Sequence, residues 1–410
     1  MGKEKNKNRW WLNTPLVIAT HKKPDEDSIL SVALLKMAGA KIEGYWFYGE
    51  GDAGVSPQFE FKNVVWIDRG RRDFDHHGIQ GKTSTHIIAE ALGISNEKWL
   101  QPILRHVKRA DLEGRSEPMD LNDMIKSISR ELNDDLQIME IGVKIATAII
   151  EFYQKGMKRN NKEAAIIIKE FFGDEKMPER IRHYYQLLQN PNFSRPLDFG
   201  ELATVNAELA KQTLQYIVAD IKRYQEAETD VRKAKKIKVG RYFIFVGESD
   251  NPKFNVKARE MGAAIVIQRN SDGHVQIFFN NKILGAQVVE IAEDLIEVLR
   301  LKEISLDPDL SKNLLRIKSI LRSTGKIEEV PQWYFFKGEK GGCLILNGSL
   351  TSPDVPVTRI PLEEIIEFTK DTLRNYLENN LMGRRRTRRG SSYLPRSRRK
   401  PGRDKALSHH

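Results

Sequence analysis

The sequence predicts an α/β protein. A parallel-sheet N-terminal domain (residues 1–120) is followed by a helical connector or insertion (121–235). A smaller C-terminal α/β domain (236–382) and a disordered basic tail (383–410) complete the chain. Three observations carry this reading. Short apolar runs rich in β-formers alternate with segments of helical spacing near the N-terminus, the pattern of a parallel sheet with helices on its faces. The middle shows apolar residues at three- and four-residue spacing. The end is dense in arginine with no apolar periodicity. A chain of 410 residues also exceeds one ordinary core.

Taken in order, Pro15 to Thr20 reads as a short apolar strand, and Asp27 to Gly39 as a helix with a glycine stop. Ile42 to Gly49 and Val64 to Ile67 read as strands, and Ser84 is placed to cap a helix through His86 and Leu92. Long helices follow to about Ala234. Strand signals return at Arg241 and recur around Ala263–Arg269, His274–Asn280, Gln332–Gly338 and Cys343–Gly348. Helices are expected between Ala286 and Arg300 and from Leu362.

Composition narrows the chemistry. The single cysteine, Cys343, excludes an internal disulfide and a cysteine-rich zinc site, so any metal must be held by histidine and carboxylate. Its apolar neighbours make it a small core residue. Between Gly383 and His410 stand nine Arg and two Lys against one Asp, so almost all of the net charge of +11 sits there and the body is close to neutral. The tail either binds phosphate backbones non-specifically or serves as a targeting or docking segment; nucleic acid is the preferred partner. No apolar run approaches the ~20 residues of a membrane helix, and the charged N-terminus lacks a signal-peptide stretch, so a soluble cytoplasmic protein is expected.

The chemistry lies in four short segments. Thr20–Ser28 places His21, Asp25 and Asp27 in the turn after the first strand. Asp68 follows another short strand. Asp75, His76 and His77 come a few residues later, and Asp111 follows a helix. In open parallel sheets ligands sit beyond the carboxyl ends of the strands, so these groups are expected at one edge. Hydrolysis of a phosphate ester gains from two divalent cations roughly 3.5–4 Å apart. Holding both takes several carboxylates, one of them bridging, plus imidazoles. Such a donor set suits Mn²⁺, with Mg²⁺, Co²⁺ or Zn²⁺ as alternatives.

At these residues the sequence resembles the DHH phosphoesterase family, over roughly the first third of the chain. The H-x-x-x-D-x-D run, the isolated Asp, the Asp-His-His triplet and the later Asp fall in the family's order, and the initial His is similar to the nanoRNase and RNA-processing exonuclease types. The resemblance implies that His21, Asp25 and Asp68 bind one metal. Asp27, Asp68, His76 and Asp111 bind the other, with Asp68 bridging. It further implies that His77 contacts the scissile phosphate or protonates the leaving oxygen, while Asp75 orients a histidine. Two departures stand out: Gly78 follows the His-His pair, and the family's Gly-Gly-Gly-His signature is reduced to Ser271-Asp272-Gly273-His274.

Beside the site, Arg69, Arg71 and Arg72 either neutralise substrate phosphates or form a solvated turn. Arg269 and His274 flank an expected hairpin and are candidates for substrate contact. His86, His106 and His183 are expected to be packed or exposed rather than ligating, and Trp333–Phe336 to form a core strand rather than a stacking surface. The function read from this set is a metal-dependent hydrolase: a phosphodiesterase or exonuclease acting on single-stranded RNA, DNA or short oligonucleotides. Rivals are a small-nucleotide phosphodiesterase, cyclic or linear, and a catalytically idle nucleic-acid-binding protein. The helical middle serves as a homodimer surface or a substrate ruler.

Overall fold

A computed structural model describes residues 10–48, 63–68, 73–76, 79–173, 177–307, 317–338, 342–348 and 355–390. Its N-terminal sheet, among the described residues, has strands β1 (Leu16–His21), β2 (Ile42–Tyr48) and β3 (Val64–Trp66) in the order β2-β1-β3. Both pairings of β1 are parallel. β1 is the central strand and is buried at all but one position, which is why it reads as a continuous apolar run rather than an alternating one.

The chain leaves β1 at His21 and enters a helix, Glu26–Met37, through Asp25. The Asp25 carboxylate caps the helix by accepting from the Ser28 N–H at 3.0 Å. The helix is buried from Glu26 to Leu35 and packs against the long helix Asp135–Gln154. Contact there is close: a Cβ on Gly142 would lie 2.5 Å from Ile29 Cδ1. One buried apolar cluster runs from Trp11 to Ile221, so the helical middle shares a core with the first sheet.

Two local expectations need correction. Thr83, not Ser84, caps the helix Ser84–Leu92. Its N–H lies 3.4 Å from His86 Nδ1, while the Ser84 N–H is taken by Asp27 Oδ2 at 2.7 Å. The final helix, Leu362–Gly390, runs past Gly383, where a disordered tail was expected to begin. A lone glycine costs a helix only about 1 kcal/mol, and the arginines after it are good helix formers. Residues 391–410 of the expected tail lie outside the described residues.

The second sheet has seven strands. They are β4 (Lys235–Val239), β5 (Tyr242–Glu248), β6 (Ile265–Arg269), β7 (Val275–Phe279), β8 (Gly325–Ile327), β9 (Val330–Lys337) and β10 (Cys343–Leu346), in the order β4-β5-β6-β7-β10-β9-β8. Only β5 and β6 pair in parallel. β4, with lysine at three of five positions, escapes an apolar reading. The sheet packs on the helix Val288–Ser305 and the final helix around its own buried cluster. Strand alternation splits the aromatic quartet: Trp333 and Phe335 are fully buried, while Phe336 is exposed. Cys343 is buried in β10. Among the described residues no helix is long and apolar enough to cross a membrane.

Between the turn after β1 and the second sheet lies a cleft of about 730 Å³. Lys22, Lys23 and Arg130 line it on one side, and Gln268, His274 and Phe278 on the other.

Candidate metal centre

Each site residue is delivered by a specific local device. His21 ends β1, and its Nδ1 lies 2.8 Å from the Lys22 carbonyl, which leaves Nε2 to face the acidic residues. Asp25 and Asp27 flank the helix start, so their position follows from capping and from the first helical turn. Asp68 follows β3 with φ of +59°, in the left-handed region that non-glycine residues rarely occupy. Strain of this kind costs on the order of 1–3 kcal/mol and is held in place only by its surroundings. A backbone bond from Asp68 N to Phe74 O (3.3 Å) and another from Phe74 N to Trp66 O (3.0 Å) fix the turn.

The side chains converge in two groups. His21, Asp25 and Asp68 form one; Asp27, Asp68 and His76 form the other. Within each group one ligand atom per residue lies within 4.8 Å of the rest. Asp68 belongs to both. Its Oδ2 is 3.4 Å from His21 Nε2 and its Oδ1 is 3.0 Å from His76 Nδ1, so its two oxygens look in two directions. The remaining approaches are 3.5 Å from His21 Nε2 to Asp25 Oδ1 and 3.5 Å from His76 Nδ1 to Asp27 Oδ2.

Asp111 is brought near but not into the second group. Its Oδ2 stands 3.3 Å from His76 Nε2, on the opposite edge of the imidazole from Asp68 and Asp27. The four-residue set implied by the resemblance is therefore assembled as three plus one. Asp75 is buried beside His76. His77, Arg69, Arg71 and Arg72 lie outside the described residues. The hairpin expected around Ser271–Gly273 is present, with β6 and β7 antiparallel. It separates its two candidates. His274 is buried and lines the cleft, bonded through Nε2 to the Val355 carbonyl at 2.7 Å. Arg269 is exposed and lines a different cavity with Arg359 and Glu363. Gly348, with φ of +74°, packs under the His274 ring, where a Cβ would come within 2.5 Å.

Charge crowding shapes the protonation of this cluster. Burial works against a charged His76, but the carboxylates of Asp27 and Asp68 outweigh it and push the imidazole up to about 11. His21 is likewise raised well above its ordinary value: burial lowers it, and Asp25 and Asp68 more than compensate. For Asp25 burial works upward, and the His21 charge with the Ser28 N–H bond holds it well below the usual carboxylate range. Asp111 is raised to about 7 by burial and by the negative charges of Asp25, Asp27 and Asp68. Positive charge is thus favoured at two points, one on each side of Asp68.

Three residues escaped the sequence reading. Ser28 Oγ lies 3.2 Å from His21 Nε2 and donates to Asp68 Oδ2 at 3.5 Å. Ser84 N, Thr85 N and Thr85 Oγ1 donate to the Asp27 carboxylate at 2.7, 2.9 and 2.6 Å. These bonds fix the orientation of Asp27 and occupy Oδ1 twice and Oδ2 once, leaving room on Oδ2 for a further ligand. The only sequence cues were a serine directly after the Asp-Glu-Asp run and a Ser-Thr pair at a helix start.

The donor set fits two cations. It offers oxygen and imidazole ligands in two groups of three, all buried but the half-exposed Asp25, with one carboxylate common to both.

Neither a protein-family model nor a curated protein matches the chain. Solved structures do. The chain is similar to CDC45 from Entamoeba histolytica at a TM-score of 0.32 and 9% identity, over 88% of this chain and 95% of that one. It is similar to RecJ in complex with Mn²⁺ from Thermus thermophilus at a TM-score of 0.33 and 9% identity, over 70% and 48%. It is also similar to the DHH domain of a member of the S1p family of ribosomal proteins at a TM-score of 0.38 and 11% identity, over 89% and 88%.

Proposed function

We propose that the chain is a DHH-type phosphoesterase of the nuclease or phosphodiesterase class, acting on single-stranded RNA, DNA or short oligonucleotides. The observation that carries this reading is the sharing of Asp68 between two His/carboxylate groups, one fully buried and one opening at Asp25. In the proposal, His21, Asp25 and Asp68 hold one divalent cation, and Asp27, Asp68 and His76 the other, with Mn²⁺ the best match to the donors and Mg²⁺ or Co²⁺ as substitutes. Bound there, the pair supplies a nucleophile at neutral pH and neutralises charge on the phosphoryl group. Asp111, 3.3 Å from His76 Nε2, would be the further carboxylate available to the second ion.

The protein's own groups do the rest. Ser28 and Thr85 hold Asp68 and Asp27 in place. Asp75 orients the neighbouring histidines, and His77 acts on the scissile phosphate or the leaving oxygen. Lys22, Lys23 and His274, which line the cleft beside His21, receive the strand; Arg69 and Arg71 contribute further positive charge. Arg269, on another cavity, is set apart from this path. The arginine-rich C-terminal segment adds non-specific affinity for phosphate backbones.

The test is incubation of the purified chain with labelled RNA and DNA oligonucleotides of graded length, with Mn²⁺, Mg²⁺ or Co²⁺ and with chelator. Metal-dependent shortening of at least one series is expected. No cleavage of any length with any of the three metals would overturn the reading.

A further inference from the structure

Behind the metal centre, on the far side of the helix Gln101–Asp111, is a second cavity of about 780 Å³. That is a common size for small-molecule sites. Pro102, Arg105, His106 and Arg109 line it and fall at i, i+3, i+4 and i+7, one stripe of the helix. Asp111 lies nine residues from Pro102, two and a half turns at ~3.6 residues per turn. It therefore projects from the opposite face, towards His76. The cavity and the metal centre are back to back on one helix.

The cavity wall carries a cationic excess. Arg105, Lys108 and Arg109 line it, and none of them makes an ion pair among the described residues. Arg109 Nε is buried without a hydrogen-bond partner there. The unmatched positive charge of the three side chains favours an anion in the cavity. The other charges on the wall are already matched. Arg159 pairs with Asp198 at 2.7 Å, and Glu113 with Arg115 at 3.2 Å. Glu201 accepts from Tyr153 Oη at 2.6 Å and from Leu197 N at 2.9 Å. Next to the cations stand Phe152, Tyr153 and Met157. The wall thus joins unmatched positive charge to an aromatic and thioether surface.

We propose that this cavity is a binding site for a phosphomonoester of nucleotide size, distinct from the metal centre. The phosphate sits among Arg105, Lys108 and Arg109, and the base lies against Phe152 and Met157. Charge-assisted hydrogen bonds to the phosphate supply most of the affinity. The proposal stands on this cavity alone and does not need the chain to be a nuclease.

The test is calorimetric titration of the full chain in EDTA, which removes divalent metal ions, with AMP, adenosine and inorganic phosphate. AMP is expected to bind, and adenosine to bind at least about tenfold more weakly, the loss expected when a charged hydrogen-bonded group is removed. A double variant, Arg105→Ala with Lys108→Ala, changes two exposed side chains and should weaken AMP by at least about tenfold. Asp68→Ala, shown to be folded by circular dichroism, should bind AMP as the parent does. Four results would overturn the site: no AMP binding by the parent, adenosine binding as well as AMP, unchanged affinity in the double variant, or loss of AMP binding in folded Asp68→Ala. Tight binding of inorganic phosphate alone, matching AMP, would overturn the nucleotide-sized ligand.

Discussion

Two clusters of histidine and carboxylate diverge from one helix start. Asp25 and Asp27 enter the group around Asp68, whereas Glu26, between them in sequence, turns the other way and meets His106 at 3.1 Å, with Asp120 at 4.0 Å from the same ring nitrogen. The residue types are the same; the arrangements are not. Asp120 caps the helix Leu121–Glu131 and also accepts from Ser116 Oγ and Glu117 N, so its oxygens are used within the protein. Burial pushes Glu26 up, and Glu26 with Asp120 raises His106 against its own burial, so the pair retains its proton. Around Asp68, by contrast, ligand atoms of three residues converge on each side. Composition does not distinguish a candidate metal centre from a buried ion pair; the convergence of ligand atoms from three residues on each side of one shared carboxylate does.

The contrast can be broken from either side. The largest effect is expected for Asp68→Ala, which removes the group common to both sets. Metal-dependent turnover should fall by more than the roughly 10–100-fold typical of outer partners, measured as initial rates on a labelled oligonucleotide. Next, His106→Ala leaves Glu26 buried without its partner. Breaking a buried pair costs about 3–5 kcal/mol, tempered here because Glu26 can take up a proton; denaturant unfolding measures it, while metal stoichiometry should stay unchanged. Loss of bound metal in His106→Ala would merge the two clusters into one functional unit.

Much of this was legible in the sequence. The alternation of apolar runs and helical spacing located β1, the helix after it and β3, and the motif order singled out His21, Asp25, Asp27, Asp68 and His76, whose side chains converge in the fold. What it did not reveal follows from physics outside local pattern. The position of Asp111 across the His76 ring depends on how the helix Gln101–Asp111 lies against the loop that carries His76, and the Thr85 bonds to Asp27 span 58 residues. β4 was hidden because lysine occupies three of its five positions, and Phe336 because an aromatic run does not announce which face each ring takes.

Smaller effects sharpen the comparison further. Thr85→Val removes one donor to Asp27 and keeps the shape; Mn²⁺ affinity should drop about 10–100-fold in a titration, with little change in fold. The smallest effect concerns pH. Asp111, raised to about 7 from 3.8, binds a proton in the folded chain that the unfolded chain has lost. Its contribution therefore makes the metal-free protein less stable as pH rises from about 4 to 7. Asp111→Asn should flatten that slope in a series of thermal melts, and an unchanged slope would remove Asp111 from the crowded set.

The most direct measurement is anomalous scattering from crystals grown with Mn²⁺. Two peaks roughly 3.5–4 Å apart, one on the His21 side of Asp68 and one on the His76 side, are the result this account predicts. A single peak, or none within reach of Asp68 at saturating Mn²⁺, would contradict it.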